Sequence, residues 1–311
     1  MRDDTPSRTA AWVAAARQLG RLLPDGVRIA DDSFGAAFTS LQLARMIEEA
    51  ASQLPADAAL PWALRKVGGG IARLPGIQRW ILYMQVRTRV IDDLARTFVE
   101  SGGTQVVLLG AGYDCRALRL PELAGARVFE IDHPATQGHK RRVLDRIGYH
   151  SPATYVTWDF ETRALEDLPD ELTEAGHDPT APTLTIWEGV TMYLTEPAID
   201  ASLRAIAAWS APESELAMTY FAKARLTRPS LSTRAIAAVV SRIGEPWRWG
   251  WAPEELPEYL ETRGLTLVED IALADAARAL LPGELARLIE NPGRRVALAA
   301  AAPESIAVAQ R

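Results

Sequence analysis

A short apolar run that leads into a Gly-x-Gly turn constrains this chain more than any other feature. Residues 105–109 read QVVLL, and Gly110, Ala111 and Gly112 follow directly. A second strand-like run, residues 127–131, is followed by Asp132, 20 positions after Gly112. In α/β proteins such glycines let the backbone approach a nucleoside closely, and the acid accepts hydrogen bonds from the ribose hydroxyls. The pattern predicts an α/β fold that binds a nucleoside cofactor.

Two residues near the turn bear on which nucleoside is bound. A dinucleotide fingerprint needs a third small residue, usually glycine, so that the helix packs closely beside a pyrophosphate, and Cys115 occupies that position. Asp114 adds a negative charge where phosphates would bind, which is unfavourable at a helix N-terminus. A cofactor without phosphates fits better, and S-adenosylmethionine (SAM) is the common one. A dinucleotide site and a purely structural turn stay open as alternatives.

Charge and composition narrow the classes of partner. The net charge is −6 and the isoelectric point is near 5.4, which argues against broad electrostatic binding to nucleic acid or to an anionic membrane. The basic run at residues 139–142 is predicted to be a solvated helix face. The single cysteine cannot form an internal disulfide, and the sequence contains neither a membrane-spanning run nor a signal-peptide core. We therefore expect a cytoplasmic protein that binds neither nucleic acid nor membrane.

Two other kinds of site are not indicated by the sequence. The four histidines are scattered and lack a zinc-like spacing, so no metal site is predicted. The Gly-x-Ser-x-Gly elbow of many hydrolases is also missing from the sequence.

Strand-like and helical runs alternate along the chain, which predicts a mostly parallel sheet with helices on both faces. The predicted strands are residues 105–109, 127–131, 155–157, 183–187, 215–220, 265–270 and 295–301. Helices are predicted at residues 8–20, 34–51 and 77–102, and a further one begins after Thr195. We expect residues 1–84 to form an N-terminal helical cap or lid. Residues 85–311 would then be the cofactor-binding domain, with an acceptor-pocket insertion near 222–253.

Carboxylates follow several of the predicted strands. Ligands of parallel α/β sheets bind at the carboxyl ends of the strands. Asp159 and Phe160 follow the third run, and Glu188 follows the fourth. An aspartate beside an aromatic ring suits adenine, because the carboxylate accepts from the exocyclic amine while the ring stacks. Together with Asp132 these residues are expected near one ligand, although any single carboxylate could instead be a capping or solvated residue.

Four blocks of sequence occur in a distinctive order. They are VRTRVIDD at 86–93, QVVLLGAGYDCRALRL at 105–120, FEIDHP at 129–134 with Lys140, and EGVTMYL at 188–194. Together they resemble the leucine carboxyl methyltransferase family, and more closely its bacterial branch of small-molecule O-methyltransferases. The resemblance implies a class I SAM methyltransferase fold, which is Rossmann-like with seven strands.

The resemblance also implies roles for single residues. Arg87 would pair with the SAM carboxylate, Asp132 would bind the ribose, and Gly110 would pack against the methionine part. The full set implied in cofactor binding is Arg87, Gly110, Ala111, Gly112, Asp132, Asp159, Phe160 and Glu188. Two residues depart from the family pattern, since Cys115 stands where threonine is usual and Phe160 replaces a leucine.

The acceptor is less constrained than the cofactor. A carboxylate is ionised at neutral pH and needs no general base, so we favour carboxyl over hydroxyl O-methylation of a small molecule, within secondary metabolism. A hydroxyl acceptor would benefit from a base, for which Tyr193 and His133 are the first candidates. The candidates for the acceptor pocket are Met192, Tyr193, Trp247 and Trp249.

Other functions stay open at this point. The family resemblance also allows methylation of a protein C-terminal carboxylate or of a tRNA base. A SAM-binding protein that transfers no methyl group would carry the same cofactor residues. An NAD-dependent oxidoreductase is disfavoured by Cys115 and by the lack of a hydride-transfer acid–base pair. In the favoured reaction S-adenosylhomocysteine is the product, and the sequence does not indicate an oligomeric state.

Overall fold

The strand-like runs of the sequence assemble into one seven-stranded sheet. The computed structural model describes residues 6–20, 23, 27–39, 75–229, 234, 237, 238, 241 and 246–301. The strands are β1 Gln105–Leu109, β2 Arg127–Asp132, β3 Thr154–Thr157, β4 Thr183–Trp187, β5 Glu215–Phe221, β6 Leu265–Ala272 and β7 Arg294–Ala301. All seven predicted strands are confirmed, and β1 and β4 have the predicted bounds.

The sheet is mostly parallel, as predicted. Its strand order is β3-β2-β1-β4-β5-β7-β6, and β1 to β5 pair in parallel. Only β7 runs in the opposite direction, antiparallel to both β5 and β6. Strands β1 to β5 therefore end at one edge of the sheet, called here the carboxyl edge. Because β7 is reversed, its first residue, Arg294, pairs with Phe221 at the end of β5 and also lies at this edge.

Helices cover both faces of the sheet. They are α1 Arg8–Gly20, α2 Pro75–Glu100, α3 Arg116–Arg119, α4 Pro134–Arg146, α5 Leu168–Glu174, α6 Glu196–Trp209, α7 Lys223–Thr227, α8 Leu256–Glu261, α9 Leu273–Leu280 and α10 Gly283–Ala286. Short 3-10 turns are present at Gly35–Phe38, Pro121–Gly125, Leu165–Asp167, Thr191–Tyr193 and Arg287–Ile289. None of the helices in these described segments is long and apolar enough to cross a membrane.

Alternate residues of β1 separate two hydrophobic clusters. Val106 and Leu108 pack on the face covered by α2 and α9, whereas Val107 and Leu109 pack on the face covered by α5 and α6. The predicted stripe on α6 is confirmed: Ile199, Leu203, Ile206 and Trp209 are all at most 1% exposed. Complete burial of one such side chain contributes about 1.5–3 kcal/mol, so this stripe anchors α6 on the sheet.

The predicted helix at residues 34–51 is wrong in its described part. Only Gly35–Phe38 is helical, as a 3-10 turn, and Thr39 is extended with φ −88° and ψ 160°. The amide and the hydroxyl of Thr39 both donate to the Ala36 carbonyl, at 3.2 and 2.7 Å. A threonine side chain that satisfies a nearby carbonyl competes with helix continuation. Residues 40–51 lie outside the described residues.

The N-terminal elements lie against the carboxyl edge. Ala14 of α1 shares a small buried cluster with Phe38, Tyr113 and Val143, and the rings of Phe38 and Tyr113 stack at 4.5 Å. Helix α2 is continuous from Pro75 to Glu100, so it passes through the predicted boundary between residues 84 and 85. A separate cap at residues 1–84 therefore stays a prediction, and part of the predicted insertion near 222–253 lies outside the described residues.

Candidate cofactor and acceptor site

The Gly-x-Gly turn has the backbone conformation that requires glycine. Gly110 and Gly112 have φ values of +70° and +55°, which side chains rarely adopt. The amides of Gly110 and Ala111 both donate to the Ile131 carbonyl, at 2.9 and 3.0 Å. A Cβ on Gly110 would lie 2.8 Å from Cγ2 of Val190. The turn is thus hydrogen-bonded to the end of β2. On its other side, Val190 leaves no room for a side chain at Gly110.

Asp132 lies directly beside this turn. Its carboxylate accepts from the Gly112 amide and, at 2.6 Å, from the His133 amide. Burial raises the pKa of Asp132, and these two amide donors act in the opposite direction. Each carboxylate oxygen has a second lone pair, so both oxygens retain an acceptor site for a ribose hydroxyl. The geometry fits the role that the sequence resemblance implies.

Asp159 and Phe160 form the loop after β3. The Asp159 carboxylate accepts from the Glu161 amide at 3.0 Å and from the Thr162 hydroxyl at 2.8 Å. These bonds give Asp159 a local turn-forming role, which is the alternative that the sequence left open. The Phe160 side chain is 39% exposed at the carboxyl edge. An exposed aromatic ring at this position is available for stacking against a base.

Glu188 is the centre of a buried ionic network. Arg87 Nε lies 2.7 Å from one carboxylate oxygen, Arg17 Nη2 lies 3.0 Å from the same oxygen, and Arg116 Nη1 lies 2.7 Å from the other. Burial alone would raise the pKa of Glu188, but the three guanidinium groups hold it well below its usual range. The carboxylate is therefore ionised throughout the neutral pH range.

The network extends to further buried acids. Arg116 also pairs with Asp114 and, at 2.8 Å, with Asp92. The remaining pairs join Arg119 to Asp92 at 2.6 Å and Arg17 to Asp32 at 3.8 Å. Among the described residues four arginines thus face four carboxylates, so the network is neutral overall. Asp114 pairs with Arg116 in this network, so its charge is largely compensated, which weakens the sequence argument that it would repel phosphates.

One donor in this network lacks a hydrogen-bond partner within the described residues. It is the buried Nε of Arg17, whereas the Nε of Arg87 lies 2.7 Å from a Glu188 oxygen. The Arg87 head group also lies against Gly189, where a Cβ would be 3.7 Å from Nη1. A guanidinium donor at the carboxyl edge suits the α-carboxylate of an amino-acid group. The Nε of Arg87 is engaged by Glu188, so its contact with the SAM carboxylate stays a prediction.

Sequence reasoning missed Arg17, Arg116 and Asp92. Arg17 comes from α1 and meets Glu188 across 171 positions of sequence, so no local pattern could have paired them. Arg116 left some signal in the sequence, because it lies within the block DCRALR, which is part of the family resemblance. Its complete burial, with 0% exposure, is what marks it as part of the site.

Lys140 corrects a second prediction. The run at residues 139–142 was expected to be a solvated helix face, yet Lys140 is 1% exposed and pairs with Glu130. Its ammonium group also donates to the Asp114 carbonyl. Burial would lower the pKa of Lys140, but the paired Glu130 raises it above its ordinary value. Lys140 therefore links the loop after β1 to strand β2, because it contacts both Asp114 and Glu130.

His133 caps helix α4. Its Nδ1 accepts from the Ala135 amide at 3.2 Å, and its Nε2 lies 3.9 Å from Asp159. A neutral imidazole that accepts at Nδ1 carries its proton on Nε2, so neither nitrogen is free to act as a base. Tyr193, the other candidate base, is partly buried and lies within electrostatic reach of Arg294.

Removal of the His133 side chain tests this capping role. His133→Ala is expected to lower the free energy of unfolding by about 1 kcal/mol, the usual cost of losing an N-cap. His133→Asn restores a capping acceptor and should recover most of this loss. Denaturant unfolding measures both, with His150→Ala at an exposed site as the control. A large loss of methyl transfer in His133→Asn, with stability retained, would instead indicate a catalytic imidazole.

The predicted acceptor-pocket residues divide into two groups. Met192 is buried, and its carbonyl accepts from the Arg248 amide at 2.7 Å, which ties the loop after β4 to the tryptophan segment. Trp247 meets Phe221 edge-on at 4.9 Å. Trp249 instead contacts Trp251 and Tyr259, so its surroundings are those of a core-packing residue. No cluster of three or more metal-ligating side chains occurs in the segments that the structure describes.

Comparison with known proteins assigns the family. The family model described as leucine carboxyl methyltransferase matches residues 10–207, which is more than half of the chain. The chain therefore belongs to the leucine carboxyl methyltransferase family, and the prediction from the four sequence blocks is confirmed.

Curated relatives agree with this assignment. A Streptomyces coelicolor protein is 38% identical over 213 residues, which cover 67% of this chain and 64% of that protein. A Frankia alni protein is 39% identical over 145 residues, which cover 46% of this chain and 50% of that protein. Both are named as SAM-dependent methyltransferases, the class of protein that the sequence predicts. The matched part of the chain spans about half to two thirds of these relatives' length.

Solved structures share the fold. A Thermobifida fusca protein described as a methyltransferase has a TM-score of 0.54 and 16% identity, and the match covers 97% of both chains. A DUF574 family protein of Streptomyces avermitilis has a TM-score of 0.56 and 17% identity, covering 93% of this chain and 97% of that one. At such identities the likeness establishes the fold alone. The prediction of a class I methyltransferase fold is confirmed.

Proposed function

We propose that this chain binds SAM at the carboxyl edge and transfers its methyl group to a carboxylate oxygen of a small molecule. The observation that carries the proposal is the convergence of the Gly110–Gly112 turn, Asp132 and Glu188 at one edge, in a chain of this family. The single cysteine, Cys115, is buried and cannot form an internal disulfide. This supports a reducing compartment such as the cytoplasm.

The cofactor would be held by groups that match its parts in charge and shape. Asp132 offers acceptors for the ribose hydroxyls, and Phe160 offers an exposed ring for adenine. The unpaired Nε of Arg17 and the guanidinium of Arg87 beside Gly189 would face the α-carboxylate. Glu188 fixes both arginines, because it pairs with each of them. The proposal also includes the division into a cap at residues 1–84 and a cofactor-binding domain at residues 85–311, the roles of these side chains, and a small molecule as the acceptor.

The chain's own part in the reaction is positioning and exclusion of water. When bound, SAM would supply a methyl group on a positively charged sulfur for the acceptor oxygen, with S-adenosylhomocysteine as the other product. Helix α1 and the Gly35–Phe38 turn lie beside the glycine turn and would shield that edge. Holding two reactants in line contributes several kcal/mol to catalysis, up to about 7–11 kcal/mol in the best cases.

A carboxylate acceptor is favoured over a hydroxyl because His133, one of the two candidate bases, is engaged as a helix cap through Nδ1. Tyr193, the other candidate, lies within electrostatic reach of the Arg294 guanidinium. An ionised carboxylate attacks without proton removal. Methyl found on nitrogen or carbon of the product by mass spectrometry would contradict O-methylation.

Binding of the nucleoside is the first test. In calorimetric titration, wild-type protein is expected to bind S-adenosylhomocysteine with low-micromolar affinity and NAD not at all. Asp132→Ala should weaken binding by about 10- to 100-fold, since a hydrogen bond to a charged group contributes about 1.5–3 kcal/mol. Asp132→Asn, which keeps one acceptor, should lose less. Binding of NAD alone would overturn the proposal.

A further inference from the structure

Two arginines at the carboxyl edge form no ion pair with any carboxylate that the structure describes. Arg225 follows β5 on α7, and Arg294 begins β7. Arg225 is only 8% exposed, and its Nε makes no hydrogen bond within the described segments. Neither residue forms an ion pair there, whereas each arginine of the Glu188 network has at least one. Buried charges are normally paired, so this pair needs an explanation.

Aromatic rings surround the two guanidinium groups. Arg225 lies over Phe221 at 5.0 Å and over Trp247 at 5.5 Å. Arg294 lies over Tyr83 at 3.9 Å and over Phe221 at 5.7 Å. Cation–π contact offsets part of the cost of burial, but ring faces do not satisfy the N–H donors of a guanidinium. Arg294 also hydrogen-bonds the Tyr83 hydroxyl. The buried Nε of Arg225 has no such partner in the described segments and is available to an incoming anion.

The electrostatics point the same way. Burial lowers the pKa of Arg225 to about 9, and the neighbouring Arg294 adds like-charge repulsion. Burial also lowers the pKa of Arg294; Tyr83 acts in the opposite direction and Arg87 in the same direction. Two mutually repelling cations in low dielectric attract an anion strongly. A carboxylate between them would remove the repulsion and satisfy the free donors.

The position of the pair separates it from the cofactor residues. Phe221 and Arg294 are register partners at the ends of β5 and β7, whereas the Gly110 turn and Asp132 follow β1 and β2. Strand β4, with Glu188 after it, lies between the two. Arg87 lies between the cofactor residues and the arginine pair, because it pairs with Glu188 and its charge lowers the pKa of Arg294. The pair is therefore displaced from the cofactor residues toward Trp247, one of the predicted acceptor-pocket residues.

We propose that Arg225 and Arg294 form an anion clamp that binds the carboxylate of an acceptor with an apolar, aromatic body. This inference rests on the proposed function for its site but makes a separate claim about the acceptor. A guanidinium fork binds a carboxylate in two-point fashion. Phe221, Trp247 and Tyr83 supply the wall against which a flat body would pack.

Binding of model acids tests the clamp without knowledge of the natural acceptor. Full-length protein saturated with S-adenosylhomocysteine is titrated by calorimetry with 1-naphthoate, with the neutral isostere 1-naphthamide and with 1-naphthyl phosphate. We expect 1-naphthoate to bind at least tenfold more tightly than the amide. Equal binding of acid and amide by the wild type would overturn the clamp, and tighter binding of the phosphate ester would overturn the carboxylate assignment.

Matched variants locate the binding. Arg225→Gln and Arg294→Gln should each weaken 1-naphthoate binding at least tenfold and leave 1-naphthamide binding unchanged, while the exposed Arg287→Gln changes neither. Because Arg225 is buried and forms no ion pair with any described residue, Arg225→Gln should not lower the unfolding midpoint of the ligand-free protein. A fall in that midpoint with unchanged 1-naphthoate affinity would make Arg225 structural and overturn the clamp.

The two proposals fail in different ways. S-adenosylhomocysteine affinity is expected to be the same in wild type, Arg225→Gln and Arg294→Gln, so it reports on the cofactor site alone. If the wild type does not bind S-adenosylhomocysteine, the proposed function is refuted. Intact affinity together with no preference for 1-naphthoate would refute only the clamp. If either glutamine variant does not fold, the wild-type comparison of acid and amide still decides.

Discussion

Glu188→Gln is expected to lower the free energy of unfolding by about 3–5 kcal/mol, the usual cost of breaking a buried ion pair from one side. The change removes one negative charge from the contacts with Arg17, Arg87 and Arg116, all of which lie within 3.0 Å of the carboxylate. The glutamine amide can accept from one of them but cannot neutralise three. Denaturant unfolding followed by far-UV circular dichroism measures the loss.

A partly exposed ion pair provides the control. Glu122 pairs with Arg96 at 2.9 Å, but its side chain is 34% exposed. Since such surface pairs contribute about 0–1 kcal/mol, Glu122→Gln should change stability by less than about 1 kcal/mol. Similar losses in the two variants would mean that water screens the Glu188 network, and the buried network would then not be the stabilising unit we describe.

The pH dependence of the same difference has a definite sign. The pKa of Glu188 is far below its ordinary value of 4.5 in the folded chain, so the unfolded state takes up the proton first as pH falls. The stability advantage of wild type over Glu188→Gln should be complete at neutral pH. It should shrink only below about pH 4.5 and vanish as pH passes the folded pKa. A difference that shrinks between pH 7 and 5 would contradict this assignment.

The sheet was predictable because its signals are local. Strands β1 and β4 are buried along their whole length, and such strands leave continuous apolar runs bounded by turn residues. The glycine turn and Asp132 were likewise predictable, since a tight turn and a strand-end acid are marked by residues adjacent in sequence. Helix α6 was marked by the spacing of its buried stripe. Each of these features rests on neighbours a few positions apart.

The ionic network was not predictable for the opposite reason. Its contacts join α1, α2, the β1 loop and the residue after β4, and the Arg17–Glu188 pair spans 171 positions. A single arginine on a helix gives no sign of the acid that it will meet. Lys140 shows the same limit, because a basic run has the pattern of a solvated face until the fold places Glu130 beside it. Which charges are buried is decided by tertiary packing.

Gly110→Ala is expected to weaken S-adenosylhomocysteine binding more than 100-fold. The new Cβ would lie 2.8 Å from Val190 Cγ2 and would occupy a backbone with φ +70°. The conformation alone costs about 1–2 kcal/mol, and the clash must shift either the turn or the loop that follows β4. Both carry proposed cofactor residues. Calorimetry measures the affinity, and denaturant unfolding measures the accompanying loss of stability.

Two further glycines separate the causes of this effect. Gly102 has φ +104° with open space around its Cβ position, and Gly125 has open space and no positive φ. Gly102→Ala should therefore lose about 1–2 kcal/mol of stability with unchanged affinity, and Gly125→Ala should lose neither. The pair Gly110→Ala with Val190→Ala removes the clash, so stability should recover in part. Affinity should stay low if the ligand itself packs against Gly110, because the added methyl group then occupies ligand space. Full recovery of affinity in the double variant would mean that Gly110 serves only the loop after β4 and that the cofactor lies elsewhere along the edge.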